Sequence, residues 1–184
     1  MEDFIERILI SEEELRSKVQ ELGERITRDY RGKEIRVVGI LRGAFIFMAD
    51  LVRNIRVPLS VDFMSISSYG EESESSGIVR ILKDLDKPIT HKHVLVVEDI
   101  VDTGLTLKHL KEVLATREPA SLRICALLNK EEKRIVKDLE VDYLGFNIPN
   151  QFVVGYGLDF AEHYRNYPFI FVLKPEYYQS GAQF

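Results

Sequence analysis

Val94-Leu95-Val96-Val97-Glu98-Asp99-Ile100-Val101-Asp102-Thr103-Gly104-Leu105-Thr106 is the stretch whose reading decides the fold. It starts inside residues 93–97, a nearly unbroken run of β-branched residues and leucine. Such a run suits a strand buried on both faces, as in a parallel sheet covered by helices. The run ends on two adjacent acids, Glu98 and Asp99. A third acid, Asp102, follows, and Thr103-Gly104-Leu105-Thr106 opens a helix expected from residue 105 to about 116. In open α/β sheets ligands bind beyond the carboxyl ends of the strands, and this loop occupies such an end. The first N–H groups of the helix lack partners and carry the positive end of its dipole. Gly104 lets the backbone approach a phosphate, and the Thr103 and Thr106 hydroxyls add donors, so the loop reads as a phosphate cradle. It is not a Walker loop, because the G-x-x-x-x-G-K-[ST] spacing is absent.

Two carboxylates ahead of a phosphate cradle would repel a bare phosphate. They make sense as acceptors for sugar hydroxyls, directly or through a Mg²⁺ carried by the substrate. The plain alternative for Glu98 and Asp99 is a solvated acidic turn at a strand end. For Asp102 it is a cap on the following helix.

Outward from this segment the chain alternates strands and helices. Ser11-Glu12-Glu13-Glu14 has the form of a capping box, and Leu15, Val19, Leu22 and Ile26 recur at helical spacing, which predicts an amphipathic helix over roughly 12–30. Residues 35–40 read as a strand, 41–44 as a tight connection, 45–54 as a helix, and 61–67 as a second strand. Residues 69–77 are small or charged and cannot bury apolar area, so they read as a mobile loop, the place where an active-site lid is commonly found. Residues 122–128 read as another buried strand, and 169–173 as a last one. The order strand, helix, strand, strand, helix, strand indicates an open α/β sheet. The part after Asn129, richer in aromatics and Gly/Pro, is expected as a smaller subdomain over the sheet edge. No linker separates two independent domains.

Composition narrows the function classes. The chain has 184 residues, 45% of them hydrophobic and 30% charged, with a net charge of −5. This suits one soluble domain with a sizeable core. An acidic balance argues against a general nucleic-acid binder. No stretch approaches a membrane span, and the single cysteine, Cys125, sits in an apolar run where a buried thiol is expected. A reducing cytoplasm is the expected location. The four histidines, His91, His93, His109 and His163, are scattered without metal-ligand spacing.

Residues 94–106 resemble the PRPP-binding motif of type I phosphoribosyltransferases. Other segments resemble the hypoxanthine-guanine branch of that family. Leu41-Arg42-Gly43-Ala44 is similar to its pyrophosphate loop, Ser67-Ser68-Tyr69-Gly70 to the start of its lid, and Leu127-Leu128-Asn129-Lys130 to the segment bearing its base-recognition lysine. Residues 141–146, 148–159 (Ile-Pro-Asn-Gln-Phe-Val-Val-Gly-Tyr-Gly-Leu-Asp) and Glu162-His163-Tyr164-Arg165-Asn166 match its C-terminal half. The resemblance runs from about residue 35 to 173 in the family's order. Two positions depart from the pattern: Asn150 stands where Asp is common, and Leu105 where some members carry a basic residue.

The resemblance implies a type I phosphoribosyltransferase fold as a single domain. Its core would span about 10–140, and its hood mainly 141–184 plus the N-terminal residues. It implies transfer of the phosphoribosyl group of PRPP to N9 of hypoxanthine, and also of guanine, with Mg²⁺ as cofactor and a homodimer or homotetramer as the assembly. Asp102 would be the acid/base group facing N7 of the purine. Glu98, Asp99, Asp102, Thr103, Gly104, Leu105 and Thr106 would hold the ribose phosphate. Arg42, Gly43 and Arg165 would hold pyrophosphate, with a non-proline cis peptide at the Arg42 turn. Lys130 would donate to the 6-oxo group, Phe152 would stack on the base, and the Val153 main chain would read its edge. Asp159 would join Glu98 and Asp99 as a metal-linked carboxylate near the purine 2-position, and Ser68 and Tyr69 would begin the lid. Taken alone, Arg42 reads as a surface charge, Lys130 as the head of a solvated run in which residues 131–134 are left on the surface, and Phe152 as a core aromatic.

Two rival readings differ in class or substrate. A regulatory protein can use this cradle to sense PRPP, but the combination of Lys130, Phe152 and Asp159 with an acidic surface favours an enzyme. An enzyme for xanthine or adenine would share most of the motifs, and a panel of bases separates these.

Overall fold

The computed structural model describes residues 2–68 and 79–179. Its centre is a six-stranded sheet in the order β4-β3-β2-β5-β6-β7. β2 (Ile35–Leu41), β3 (Leu59–Ser68), β5 (His93–Val101), β6 (Ser121–Asn129) and β7 (Tyr143–Asn147) run parallel, and β4 (Val79–Lys83) pairs antiparallel with β3 at the edge. From β2 the chain steps outward to β3 on one side, and β5 then returns to the other side of β2. The strand order therefore reverses between β2 and β5, and a crevice opens beyond their carboxyl ends.

The apolar run in β5 has the predicted cause. Leu95 and Val97 join the cluster under helices α1 (Glu12–Asp29) and α2 (Phe45–Asn54). Val94 and Val96 join the opposite cluster, under α3 (Leu105–Ala115). Both faces are covered, so no polar residue is tolerated on either. The capping box at α1 is formed. The Glu14 amide donates to Ser11 Oγ at 3.3 Å, and the Ser11 amide donates to Glu14 Oε2 at 2.8 Å.

A second, three-stranded antiparallel sheet has the order β1-β9-β8, from Ile5–Ile10, Ile170–Leu173 and Val153–Val154. Phe4, Tyr164, Tyr167 and Phe171 pack together around it. Beyond the expected elements, the fold adds β1, β4, β7 and β8. β7 completes the large sheet beside β6, so from the C-terminal part only β8 and β9 enter the small one. A short helix, α4 (Pro175–Gln179), follows β9. The expected lid, residues 69–77 with Tyr69, lies outside the described residues, and Ser68 ends β3. Among the described residues no helix is long and apolar enough to cross a membrane.

Candidate functional site

Three loops converge on the crevice. The first follows β2. The Leu41–Arg42 peptide is cis, as the resemblance implied. Gly43 then lies against the second loop, so closely that a Cβ built on it would sit 1.6 Å from Asp99 Oδ2. The third loop follows β8. Gly157, at φ +102°, packs on the first, and a Cβ there would sit 2.2 Å from the Gly43 carbonyl oxygen. Tyr156 anchors this third loop to α2, with its hydroxyl donating to Asp50 Oδ2 at 2.7 Å. The two glycines are thus needed by close approach, and at Gly157 also by a left-handed backbone.

The second loop carries the acids. Burial raises the Glu98 carboxyl well above the usual range, and the Asp99 charge adds to the shift. Burial likewise pushes Asp99 up to about 6, against two backbone N–H donors and the charge of Arg165. Two carboxylates confined together resist double ionisation. Glu98 Oε2 is also buried without a hydrogen-bond partner among the described residues. A buried acceptor lacking a donor is costly, and a sugar hydroxyl or a hydrated cation would satisfy it.

Asp102 does not cap α3. The N-cap is Gly104, at φ +84°, with no side-chain cap. The hydroxyl that reaches the helix start is that of Thr103, which accepts from the Leu105 amide at 3.4 Å. The first intrahelical bond runs from the Lys108 amide to the Gly104 carbonyl at 2.9 Å. The amides ahead of Lys108 therefore have no i−4 carbonyl in the helix and remain to be satisfied from outside it. Free amides at a helix start are what an anion cradle at Thr103-Gly104-Leu105-Thr106 would require.

Lys130 is not a solvated lysine. It follows β6 and is 8% exposed, one of few buried charged residues. Burial lowers its ammonium below the ordinary range, opposed by the charge of Asp102. Its amide donates to the Val101 carbonyl at 2.9 Å, which places it beside the acidic loop. The Ile148 amide donates to the Asn129 carbonyl at 2.9 Å, and residues 148–153 lead from there to Phe152 and β8. Phe152 is a half-exposed aromatic rather than a core one. It stacks on Tyr178 at a centroid distance of 4.9 Å and meets Phe160 edge-on. Val153 is buried in β8, paired with Val172.

Asp159 and Arg165 meet at the mouth of the third loop, Arg165 Nη2 lying 3.0 Å from Asp159 Oδ1. Arg165 also donates to the Gly157 carbonyl at 2.8 Å. Arg42 is well exposed and pairs with Glu162, which lies 3.5 Å from Arg165 as well. One carboxylate thus sits between the two guanidinium groups expected to hold pyrophosphate. Of residues 131–134, Glu131, Glu132 and Lys133 are exposed as expected, and only Arg134 is partly buried. Lys133 Nζ lies 3.2 Å from Asp102 Oδ2. Arg134 turns back to the carbonyls of Val136 and Leu139. Glu162 and Lys133 were missed as site residues because each stands in a charge-rich stretch, the usual mark of a solvated face.

A concavity of about 620 Å³ lies elsewhere, between α1, α2 and the Tyr156 turn, and holds none of these acids. Among the described residues no group of three His, Cys, Asp or Glu side chains is arranged to hold a metal ion by itself.

Residues 9–161 match the phosphoribosyl transferase domain family. The chain belongs to that family. This phosphoribosyltransferase-family chain is 48% identical over 180 residues to the hypoxanthine-guanine phosphoribosyltransferase of Bacillus subtilis (strain 168), covering 98% of this chain and 99% of the relative. It is 52% identical over 177 residues to the protein of the same name from Dictyostelium discoideum, covering 94% and 98%. Among solved structures, a hypoxanthine phosphoribosyltransferase from Staphylococcus aureus superposes with a TM-score of 0.92 at 48% identity, covering 96% of this chain and 95% of that one. The phosphoribosyltransferase fold, with its mostly parallel sheet, is therefore shared.

Proposed function

We propose that this chain is a purine-salvage enzyme that transfers the phosphoribosyl group of PRPP to N9 of hypoxanthine, and of guanine, giving IMP or GMP and pyrophosphate. The relatives' names support the reaction class. The single observation that carries the choice of base is Lys130, a buried ammonium beside the acid loop. An ammonium only donates, so it satisfies a 6-oxo group and opposes the 6-amino group of adenine.

In the reaction a bond forms between N9 and C1 of the ribose, and the bond from C1 to pyrophosphate breaks. The proton on N7 passes to Asp102, whose Oδ1 is buried and has no partner among the described residues. The amides at the start of α3, with Thr103 and Thr106, bind the ribose phosphate. Glu98 and Asp99 accept from the ribose hydroxyls. Arg42, the Gly43 amide and Arg165 bind the departing pyrophosphate, for which forked guanidinium groups suit the charge and shape. Phe152 and the Val153 main chain hold the base in plane.

Mg²⁺ would be held by Glu98, Asp99 and Asp159 together with substrate oxygens and water, and would neutralise charge on pyrophosphate. The unsatisfied Glu98 oxygen fits that use, since Mg²⁺ binds through a few carboxylates and completes its shell with water and phosphate oxygens. The reading includes a homodimer or homotetramer in the cytoplasm, and the acidic charge fits action on small molecules and not on nucleic acid. The test is turnover of purified protein with PRPP, Mg²⁺ and each of hypoxanthine, guanine, xanthine and adenine. IMP and GMP should form, and excess chelator should stop the reaction. Adenine as the preferred base, or full turnover in chelator, would overturn this reading in its base or its metal.

A further inference from the structure

The two oxygens of Asp102 have different surroundings. Oδ2 lies 3.2 Å from Lys133 Nζ, while Oδ1 is buried with no hydrogen-bond partner among the described residues. An ionised carboxylate accepts at both oxygens.

Lys133 reaches Asp102 through backbone bonds on both sides of that residue. On one side, the Lys130 amide donates to the Val101 carbonyl at 2.9 Å. On the other, the Ile135 and Val136 amides donate to the Thr103 carbonyl at 2.9 and 3.1 Å. Between these anchors a 3₁₀ turn, Glu131–Lys133, is closed by the Lys133 amide donating to the Lys130 carbonyl at 3.0 Å. The turn after β6 is stitched to the acid loop immediately before and after Asp102, and Lys133 projects from it onto the carboxylate. The Asp102 charge also acts on Lys130, which the proposed function already gives to the base.

We propose that Lys133 is a positioning residue for Asp102. Its ammonium holds Oδ2 and so fixes the plane of the carboxylate that serves N7 of the purine. This rests on the reading of Asp102 as the acid/base group. The pair is half-exposed on both sides, with side chains 44% and 42% accessible. Such a pair adds little to folding stability, so its effect belongs to the geometry of the reaction.

The experiment measures single-turnover IMP formation, KM for PRPP and thermal midpoint in wild type, Lys133→Met, Lys133→Arg, Asp102→Asn and the Asp102→Asn, Lys133→Met double variant. Lys133→Met should slow the single turnover about tenfold, the scale of a misoriented catalytic group. KM for PRPP and the midpoint should stay near wild type, and Lys133→Arg should recover most of the rate. In the Asp102→Asn background the same change should cost less than about twofold, because the group it positions is gone. An unchanged rate in Lys133→Met, or an equal loss in both backgrounds, overturns the proposal. A wild type that forms no IMP instead overturns the proposed function, and a wild-type rate in Asp102→Asn overturns the role given to Asp102.

Discussion

Gly43 and Asp99 are in such close contact that no side chain fits between them: a Cβ on Gly43 would lie 1.6 Å from Asp99 Oδ2. The loop after β2 and the acid loop are thereby held in close contact. Gly43→Ala must displace either the Asp99 carboxylate or the turn. The expected result is a kcat/KM for PRPP lowered by roughly tenfold or more, on the scale of a misplaced binding group. Stability should fall by about 1–3 kcal/mol, as for an overpacked site. Steady-state kinetics and urea unfolding check both, and a variant indistinguishable from wild type would contradict the contact.

Lys130 should set the preference for 6-oxo bases. Lys130→Ala removes the donor that faces the 6-position, so kcat/KM for hypoxanthine should fall far more than PRPP binding. The gap between hypoxanthine and adenine should narrow, because the mismatched buried charge is also removed. The ratio of kcat/KM for the two bases in wild type and variant is the measurement. An unchanged ratio removes Lys130 from the base site.

The same lysine carries a stability signature. Its folded pKa is lowered by burial, so below that pKa the folded state bears the cost of a buried charge. Between the lowered folded pKa and the ordinary unfolded one, the unfolded state binds more protons, and stability from this group rises with pH. Lys130→Met, which keeps the aliphatic bulk, should therefore raise the thermal midpoint at neutral pH. That gain should shrink as pH climbs toward the unfolded lysine range. A variant less stable than wild type at neutral pH would show that the ammonium is well satisfied where it lies.

Much of the fold was legible because its signals are local and periodic. The run at 94–97 reads as a doubly covered strand, and α1, α2 and α3 fall within a residue or two of their expected limits. β1 was not legible. Of its six residues only Ile5 and Ile10 are buried, and register shifts interrupt its pairing with β9, so no clean alternation marks it. β4 is a short edge strand and β8 only two residues long. Both depend on neighbours distant in sequence. Within the site, the motif residues stood out, but their electrostatic partners did not. Lys133 and Glu162 owe their places to backbone turns at 131–133 and 159–163, and nothing in a run of charges tells which one pairs with a motif residue.

Tyr156 should act as the bolt between α2 and the third loop. Its hydroxyl donates to Asp50 at 2.7 Å, and burial with the neighbouring Asp50 pushes the phenol up. Tyr156→Phe should cost about 1 kcal/mol, the usual net worth of one hydrogen bond, or more where the acceptor stays desolvated. Asp50→Ala, which also loses an exposed pair with Arg53 at 3.6 Å, should cost a similar amount, and the double variant less than the sum of the two, because the shared hydrogen bond is lost only once. Denaturant unfolding of the three variants decides this, and strictly additive losses would show that the bond carries no coupling.

The role of Asp102 is tested most directly by the single-turnover rate of IMP formation in Asp102→Asn. The side chain keeps its size and can still cap a helix, but it cannot take a proton. With Gly104 at the N-cap of α3, capping is not what the residue does here. The expected rate falls by roughly 10²–10⁴-fold, the range for loss of a general acid/base. PRPP binding should hold, because the cradle amides of α3 remain. A rate within about twofold of wild type, far below any acid/base contribution, would contradict the account.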